Sequence, residues 1–163
     1  KEEDRIRKKN RKKKKKKKEK FKIFHPGENI GNSLLLAKDI MVSGKKIPKI
    51  NYKNNFKTAL KTMNQKKLGI VVVLKKKYIY GIVTDGDLRR ELKDNNYGSN
   101  LEKFITKTPF VVNENMTANK ALSIMNEKKI TSLLVVSDGD YKKSNKILKG
   151  IIHIHFLLKN GIK

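Results

Sequence analysis

Two aspartates and a threonine stand together in the stretch GIVTDGDLRR, where an apolar run gives way to a helical pattern. Thr84 followed three residues later by Asp87 is typical of a capping box, in which the threonine caps the helix and the acid bonds back to the cap amide. Asp85 and Asp87 in the first turn also complement the helix dipole. The same corner has binding chemistry, because a carboxylate accepts two hydroxyl donors, a helix N-terminus offers N–H groups to an anion, and Gly86 allows close backbone approach.

Histidines and hydroxyls in the second half of the chain form a second set of candidates. His153 and His155 are spaced H-x-H, which in a strand directs both side chains to one face. A zinc or nickel site would need a third ligand that is not evident from the sequence, so we predict no metal site. Contact with a ligand phosphate and plain packing both stay open for this pair. Thr131 and Ser132 offer hydroxyls either to a ligand or to the local backbone.

An internal repeat supplies the elements that position these residues. FKTALKTMNQKKLGIVVV, which starts at Phe56, matches ANKALSIMNEKKITSLLV, which starts at Ala118, at a constant offset of 62 residues. GIVTDGDLRR matches GIIHIHFLLK at an offset of 69 residues. The additional residues fall within the polar stretch SDGDYKKSNK, which we expect to be a hairpin loop. Two copies of one supersecondary unit are therefore predicted.

Each copy has the pattern β-α-β-β-α. Apolar residues at i, i+3, i+4 and i+7 predict helices that begin at Phe56 and Ala118, and β-branched runs predict the strands that follow. Shorter helices are predicted over about 85–93 and 155–160, with Gly161 as a C-terminal glycine. A unit this small buries little apolar surface alone. We therefore expect an α/β (α+β) fold in which the two units pack as a pseudo-twofold pair.

The charge balance of the chain is strongly basic. It carries 41 Lys+Arg against 15 Asp+Glu, a formal net charge of +26. Residues 1–20 form a lysine-rich, low-complexity arm that we expect to be disordered or helical and solvated. The alternative is an arm that binds nucleic acid or another anion. No aromatic residue is interleaved there for base stacking, and an AT-rich genome also biases surfaces toward lysine, so nucleic acid is not the favoured partner.

Cysteine and long apolar segments are missing from the sequence. No disulfide framework or thiolate metal site is available. No run approaches the roughly 20 apolar residues needed to cross a bilayer, and no apolar segment of a signal peptide follows the basic N-terminus. We therefore expect a cytoplasmic protein with no membrane partner. Because the first residue is lysine rather than methionine, we also expect a fragment or a processed chain.

The repeat and its motifs resemble a tandem pair of CBS domains, also called a Bateman module. The segments TALKTMNQKKLGIVVV…GIVTDGDLRR and ANKALSIMNEKKITSLLVV…GIIHIHFLLKNGIK carry this resemblance over about residues 38–163. With FHPGENIGNSLLLAKDIM before them, they also resemble the C-terminal half of D-arabinose 5-phosphate isomerases, which are sugar-isomerase (SIS) domain proteins with an attached CBS pair. The resemblance divides the chain into the arm 1–20, an SIS remnant and linker 21–37, a first repeat 38–98 and a second repeat 99–163.

The resemblance also implies roles for the candidate residues. In CBS pairs an acid at the position of Asp87 typically accepts hydrogen bonds from the ribose of an adenosine-type nucleotide, and the neighbouring serine or threonine helps to hold the phosphate. At the second corner Phe156 stands where that acid would be, so two equivalent nucleotide sites are not expected. In the isomerases the histidine equivalent to His25 acts as an acid or base, which here requires an upstream SIS domain. The ligand-binding residues expected on this basis are Thr84, Asp85, Gly86, Asp87, Thr131, Ser132, His153 and His155.

A regulatory and dimerising module is the function that the resemblance implies. Its parent family interconverts ribulose 5-phosphate and arabinose 5-phosphate for lipopolysaccharide synthesis. The expected ligand is an adenine nucleotide or a CMP-linked sugar, with no cofactor required, and the expected assembly is a homodimer of CBS pairs or a tetramer with an SIS domain. This chain lacks nearly all of the SIS catalytic domain, so the sequence leaves open whether it is an enzyme. The alternative function is anion or nucleic-acid binding by the basic arm.

Overall fold

The computed structural model describes residues 34–95, 97–98 and 100–163. The arm 1–20, His25 and nearly all of the expected linker therefore lie outside the described residues. Within the described ranges, no helix has the length and apolar character that a bilayer crossing requires. The elements in chain order are α1 (Ala37–Ile40), β1 (Val42–Ser43), a 3-10 helix (Gly44–Lys46), β2 (Lys49–Asn51), α2 (Phe56–Lys66), β3 (Ile70–Lys75), β4 (Tyr78–Thr84), α3 (Asp85–Lys93), a second 3-10 helix (Leu101–Lys103), β5 (Val111–Asn113), α4 (Ala118–Lys128), β6 (Ser132–Val136), α5 (Asp138–Tyr141), β7 (Gly150–His153) and α6 (Ile154–Lys159).

Both repeats have the predicted order β-α-β-β-α, as β2-α2-β3-β4-α3 and β5-α4-β6-β7-α6. The long helices α2 and α4 have 11 residues each and begin after polar caps, Asn55 and Thr117, whose side chains accept a backbone N–H of the first turn. Both helices end at a lysine in the left-handed conformation, Lys67 with φ 57° and Lys129 with φ 53°. The repeat seen in the sequence is therefore a repeat of caps and chain reversals as well as of apolar positions.

The strands form two sheets that exchange short segments. One sheet has the order β2-β3-β4 and the other the order β1-β7-β6-β5. β1 precedes the first repeat, yet it pairs antiparallel with β7 of the second, with Val42 opposite Ile151. In the reverse direction, Thr106 precedes β5 and forms a bridge to Ile82 of β4. This reciprocal exchange, together with α1, was not predicted from the sequence.

Two glycines make the exchange possible. A Cβ atom on Gly81 would lie 2.6 Å from the carbonyl oxygen of Thr106, and a Cβ atom on Gly150 would lie 2.7 Å from the carbonyl oxygen of Val42. Both distances are shorter than van der Waals contact, so the crossing segment needs a residue without a side chain at each position. This explains why both copies of this strand contain a glycine, in the middle of β4 and at the start of β7.

Apolar side chains form one core in each repeat and a third between the sheets. The core of the first repeat includes Phe56, Met63 and Leu88, and that of the second repeat is built around α4, β6 and α6. The third cluster takes Ile70 and Val72 from one sheet, Leu134 and Ile151 from the other, and Ile47 from the segment before β2. Each repeat thus completes its burial against the other. The predicted α/β fold, with two units packed as a pseudo-twofold pair, is confirmed.

The extra residues of the second repeat form more than a hairpin loop. They contain the short helix α5, and the chain then returns along the first repeat. Ile79 donates its backbone N–H to the carbonyl oxygen of Lys146 at 2.9 Å, and Tyr78 and Ile147 form a bridge. The insertion therefore binds the two repeats together at the end of β4 away from Thr84.

Candidate functional site

A cleft of about 590 Å³ lies between the two repeats, where β3 and α3 of the first approach β6 and α6 of the second. Its apolar walls include Ile70, Ile82 and Ile130. Most of the side chains expected to bind a ligand meet here, although they are far apart in the sequence. The expected residues that line the cleft are Thr84, Asp85, Gly86, Thr131, Ser132, His153 and His155.

The first corner of the cleft, defined as Thr84 to Asp87, is built by the predicted capping box. The Thr84 hydroxyl accepts the Asp87 N–H at 3.3 Å, and one carboxylate oxygen of Asp87 accepts the Thr84 N–H at 2.8 Å. The same oxygen also accepts the Thr84 hydroxyl proton at 2.7 Å. The hydroxyl of Thr84 is thus occupied in holding the start of α3.

Asp87 is buried beneath this corner rather than lining the cleft. It is 7% exposed, and its second carboxylate oxygen accepts from the guanidinium of Arg90. Asp85 lines the cleft instead, and it forms an ion pair with the exposed Arg89. The hydrogen bond and the negative charge of Asp85 raise the pKa of the Arg89 guanidinium. The capping role of Asp87 is confirmed, whereas the contact between Asp87 and a ribose that the resemblance implies is a separate hypothesis, and Asp87 is not among the residues that line the cleft.

The second corner, defined as His153 to Phe156, has histidine where the first has threonine. His153 caps α6, and its Nδ1 accepts the backbone N–H of His155 at 3.2 Å. Burial lowers the pKa of His153, and the neighbouring His155 lowers it further. Both causes favour the neutral ring, which is the form that can accept a hydrogen bond at Nδ1.

His155 lies in the first turn of α6, not in the strand, so the strand-spacing argument for the H-x-H pair was wrong. The two rings nevertheless come together, stacked with their centroids 4.8 Å apart, because the chain turns into the helix between them. Phe156 contributes an edge contact to the His153 ring at a centroid distance of 6.3 Å. Within the described ranges, no group of three or more His, Cys, Asp or Glu side chains could hold a metal ion.

Ser132 stands at the base of the second corner. It is the partner of His153 in the β6–β7 pairing, just as Ile70 is the partner of Thr84 in the β3–β4 pairing. The Ser132 hydroxyl oxygen is buried and has no hydrogen-bond partner within the described chain. Its neighbour Thr131 is exposed and uses its carbonyl oxygen to accept the Ile154 N–H at 2.9 Å.

The sequence interpretation missed several residues of the cleft. Lys67 and Lys129 line it from equivalent places in the two repeats, and Phe110 lines it with 46% of its surface exposed. The lysines were visible as shared repeat positions, but their inward placement depends on the left-handed turn that follows each long helix. Nothing in the local pattern marked Phe110, since it precedes a short strand and has an ordinary β-sheet composition around it.

Curated proteins similar to this chain are longer than it is. It is 39% identical over 143 residues to an uncharacterised protein of Rickettsia prowazekii, an alignment that covers 87% of this chain and 43% of the relative. It is 36% identical over 148 residues to arabinose 5-phosphate isomerase KdsD of Salmonella typhi, covering 88% of this chain and 43% of the relative. The chain spans less than half the length of these relatives.

Solved structures with the same fold include complexes with adenosine compounds. CBSX2 in complex with AMP superposes with a TM-score of 0.65 at 21% identity, covering 78% of this chain and 96% of that chain. The CBS domain pair of protein MJ0100 in complex with 5-methylthioadenosine and S-adenosyl-L-methionine gives a TM-score of 0.67 at 19% identity, covering 80% and 99%. The family model of the CBS domain matches residues 37–94 and again residues 101–155. The chain therefore belongs to the CBS domain family, with one domain in each repeat.

Proposed function

We propose that this CBS pair is a regulatory module that binds a nucleotide or a nucleotide-linked sugar in the cleft between its repeats. The observation that carries the proposal is the cleft itself, with its apolar walls and its polar groups at two corners. Its volume of about 590 Å³ lies within the range of about 300–1,000 Å³ that is usual for small-molecule sites.

The lining suits the parts of such a ligand. Ile70, Ile82 and Ile130 offer an apolar slot for a base, and the exposed Phe110 ring lies at the same wall. Asp85 offers a carboxylate that can accept two hydroxyl donors, as the ribose of a nucleotide presents. AMP, 5-methylthioadenosine and S-adenosyl-L-methionine, which are bound by the similar CBS proteins, all contain an adenosine unit.

The similarity to arabinose 5-phosphate isomerases suggests what the module regulates. In a full-length protein of that type, an upstream SIS domain would interconvert ribulose 5-phosphate and arabinose 5-phosphate, and His25 would belong to its active site. Ligand binding between the repeats would shift how paired modules stack in a dimer and so bias the attached active sites. Such coupling is typically worth about 1–3 kcal/mol.

Calorimetric titration of the 163-residue chain with AMP, ATP and a CMP-linked sugar tests the proposal. We expect at least one of the three to bind, and Asp85→Asn to weaken that binding at least about tenfold, since a hydrogen bond to a charged group contributes about 1.5–3 kcal/mol. Asp138→Asn is the matched control. Asp138 follows a capping serine in SDGD as Asp85 follows a capping threonine in TDGD, but it lies outside the cleft. Three flat titrations of the wild-type chain would contradict the proposal.

A further inference from the structure

The two corners of the cleft present different polar side chains. Among the described residues that line the cleft, Asp85 is the one acidic side chain, and it stands at the first corner with Asp87 buried behind it. The Thr84 hydroxyl already donates to Asp87 and accepts from it. A phosphate placed at this corner would meet the Asp85 carboxylate, and the arginines that pair with Asp85 and Asp87 do not line the cleft. The first corner is therefore suited to hydroxyl donors rather than to an anion.

The second corner presents donors and no carboxylate. Phe156 occupies the place that Asp87 has in the first repeat, so no acid lies under α6. The stacked rings of His153 and His155 line the cleft, and Nδ1 of His153 is taken by the backbone, which leaves Nε2 as the protonated nitrogen of the neutral ring. Lys129 lines the cleft on the same repeat.

A buried hydroxyl without a partner lies at this corner. The Ser132 oxygen is shielded from solvent and makes no hydrogen bond within the described chain, although a buried polar atom left unpaired is unfavourable by about 1–3 kcal/mol. At the equivalent position the first repeat has Ile70, which needs no partner. Ser132 is the partner of His153 in the β6–β7 pairing. A ligand group that binds His153 would therefore also lie near the unpaired Ser132 hydroxyl.

We infer that the second corner is the phosphate subsite of the ligand, and that the nucleotide lies in one orientation with its ribose toward Asp85. Ser132, His153, His155 and Lys129 bind the phosphate; the Thr84 corner does not. The pair then holds one oriented, phosphate-bearing ligand rather than two related by the pseudo-twofold axis. This inference rests on the proposed function. It adds where the phosphate of the ligand binds, and that the ligand must carry a phosphate.

Titration with AMP and with adenosine separates this inference from the proposed function. The wild-type chain is expected to bind AMP at least about tenfold more tightly than adenosine, because only AMP carries the group that the second corner binds. Lys129→Gln and His155→Gln, both at exposed side chains, should each bring AMP affinity down toward that of adenosine and leave adenosine binding unchanged. Lys120→Gln, at an exposed lysine outside the cleft, is the control. Lys67→Gln, at the equivalent left-handed position on the first-repeat side of the cleft, should lower AMP affinity less than Lys129→Gln does.

The outcomes are distinct. Failure of AMP, ATP and a CMP-linked sugar alike to bind the wild-type chain contradicts nucleotide binding as a whole. Binding of a CMP-linked sugar without binding of AMP keeps the proposed function and overturns the inferred adenosine orientation. Equal binding of AMP and adenosine, or AMP binding that Lys129→Gln and His155→Gln leave unchanged, keeps nucleotide binding and overturns the phosphate subsite. An effect of Lys67→Gln equal to that of Lys129→Gln also overturns it, because the phosphate would then not be confined to the second corner. Unfolding midpoints of all variants, measured in parallel, show whether each variant is folded.

Discussion

The first and second corners of the cleft occupy equivalent places in the two repeats, yet their side chains have little in common. Both corners follow a strand that contains a close-packed glycine, Gly81 or Gly150, and both begin a helix at a capping side chain, Thr84 in one and His153 in the other. The first corner adds two carboxylates and the second adds an imidazole and an aromatic ring. Packing between the repeats constrains the residues that build the strands and helices, so these are alike in both repeats. The corner residues face the cleft instead, so their chemistry can differ between the repeats.

The largest expected effects are losses of stability from substitutions in the two cores, and they should be similar in the two repeats. Leu88 of α3 and Leu157 of α6 are equivalent and are 2% and 0% exposed. Leu88→Ala and Leu157→Ala should each lower the free energy of unfolding by about 2–5 kcal/mol, because each leaves a cavity in a packed core. Urea denaturation measures both. Leu158→Ala, at a side chain that is 53% exposed, is the control and should change stability by less than about 0.5 kcal/mol. A small loss from one leucine and a large loss from the other would show that the repeats are not equivalent in packing.

A smaller expected effect concerns Asp87, for which capping of α3 and contact with a ligand are the two possible roles. Asp87→Ala removes the carboxylate that accepts the Thr84 N–H and pairs with Arg90, so the free energy of unfolding should fall by about 1–2 kcal/mol. Phe156, the equivalent residue of the second repeat, shows that the fold forms without an acid at this position. Thermal unfolding measures the loss.

Binding to the same variant tests whether Asp87 also contacts the ligand. Because Asp87 does not line the cleft, AMP affinity of the folded Asp87→Ala variant should stay within about threefold of wild type, a difference below about 0.7 kcal/mol. If Asp87→Ala left the free energy of unfolding unchanged and abolished AMP binding, direct contact between Asp87 and the ribose would be favoured instead. Asp85→Asn, measured beside it, gives the loss expected for a carboxylate that lines the cleft.

The sequence predicted those parts of the fold that depend on local pattern. The apolar spacing identified α2 and α4, and the threonine-to-aspartate spacing identified the start of α3 at Asp85. β1 and the bridge at Thr106 escaped prediction, because a two-residue strand has no periodicity and its partner is more than 100 residues away in the sequence. The two close-packed glycines were visible as a repeat, but only the crossing segments give the reason for them.

The candidate site, like the fold, could be predicted from the sequence only in part. Seven of the eight ligand-binding residues that the resemblance implied line the cleft. The burial of Asp87 could not be read from the motif, because capping and ligand binding require the same residue at the same spacing. The place of the exposed Lys129 in the cleft lining follows a left-handed turn, a conformation that a lysine rarely adopts and that the local sequence did not predict.

The smallest expected effect concerns protonation at the second corner. Burial and the neighbouring His155 hold the pKa of His153 below its ordinary value of 6.5 in the folded chain. As pH falls through that value, the unfolded chain takes up a proton that the folded chain resists, so stability is full above it and declines on acidification. Glu114 and Asp140 have pKa values below the ordinary range because Lys149 and Lys143 donate to them, so they titrate at lower pH and do not obscure the effect. His153→Thr installs the cap of the first repeat and removes the titration. The wild-type unfolding temperature should therefore fall more between pH 8 and pH 5.5 than that of His153→Thr, whereas parallel curves for the two proteins would mean that His153 titrates alike in the folded and unfolded chains.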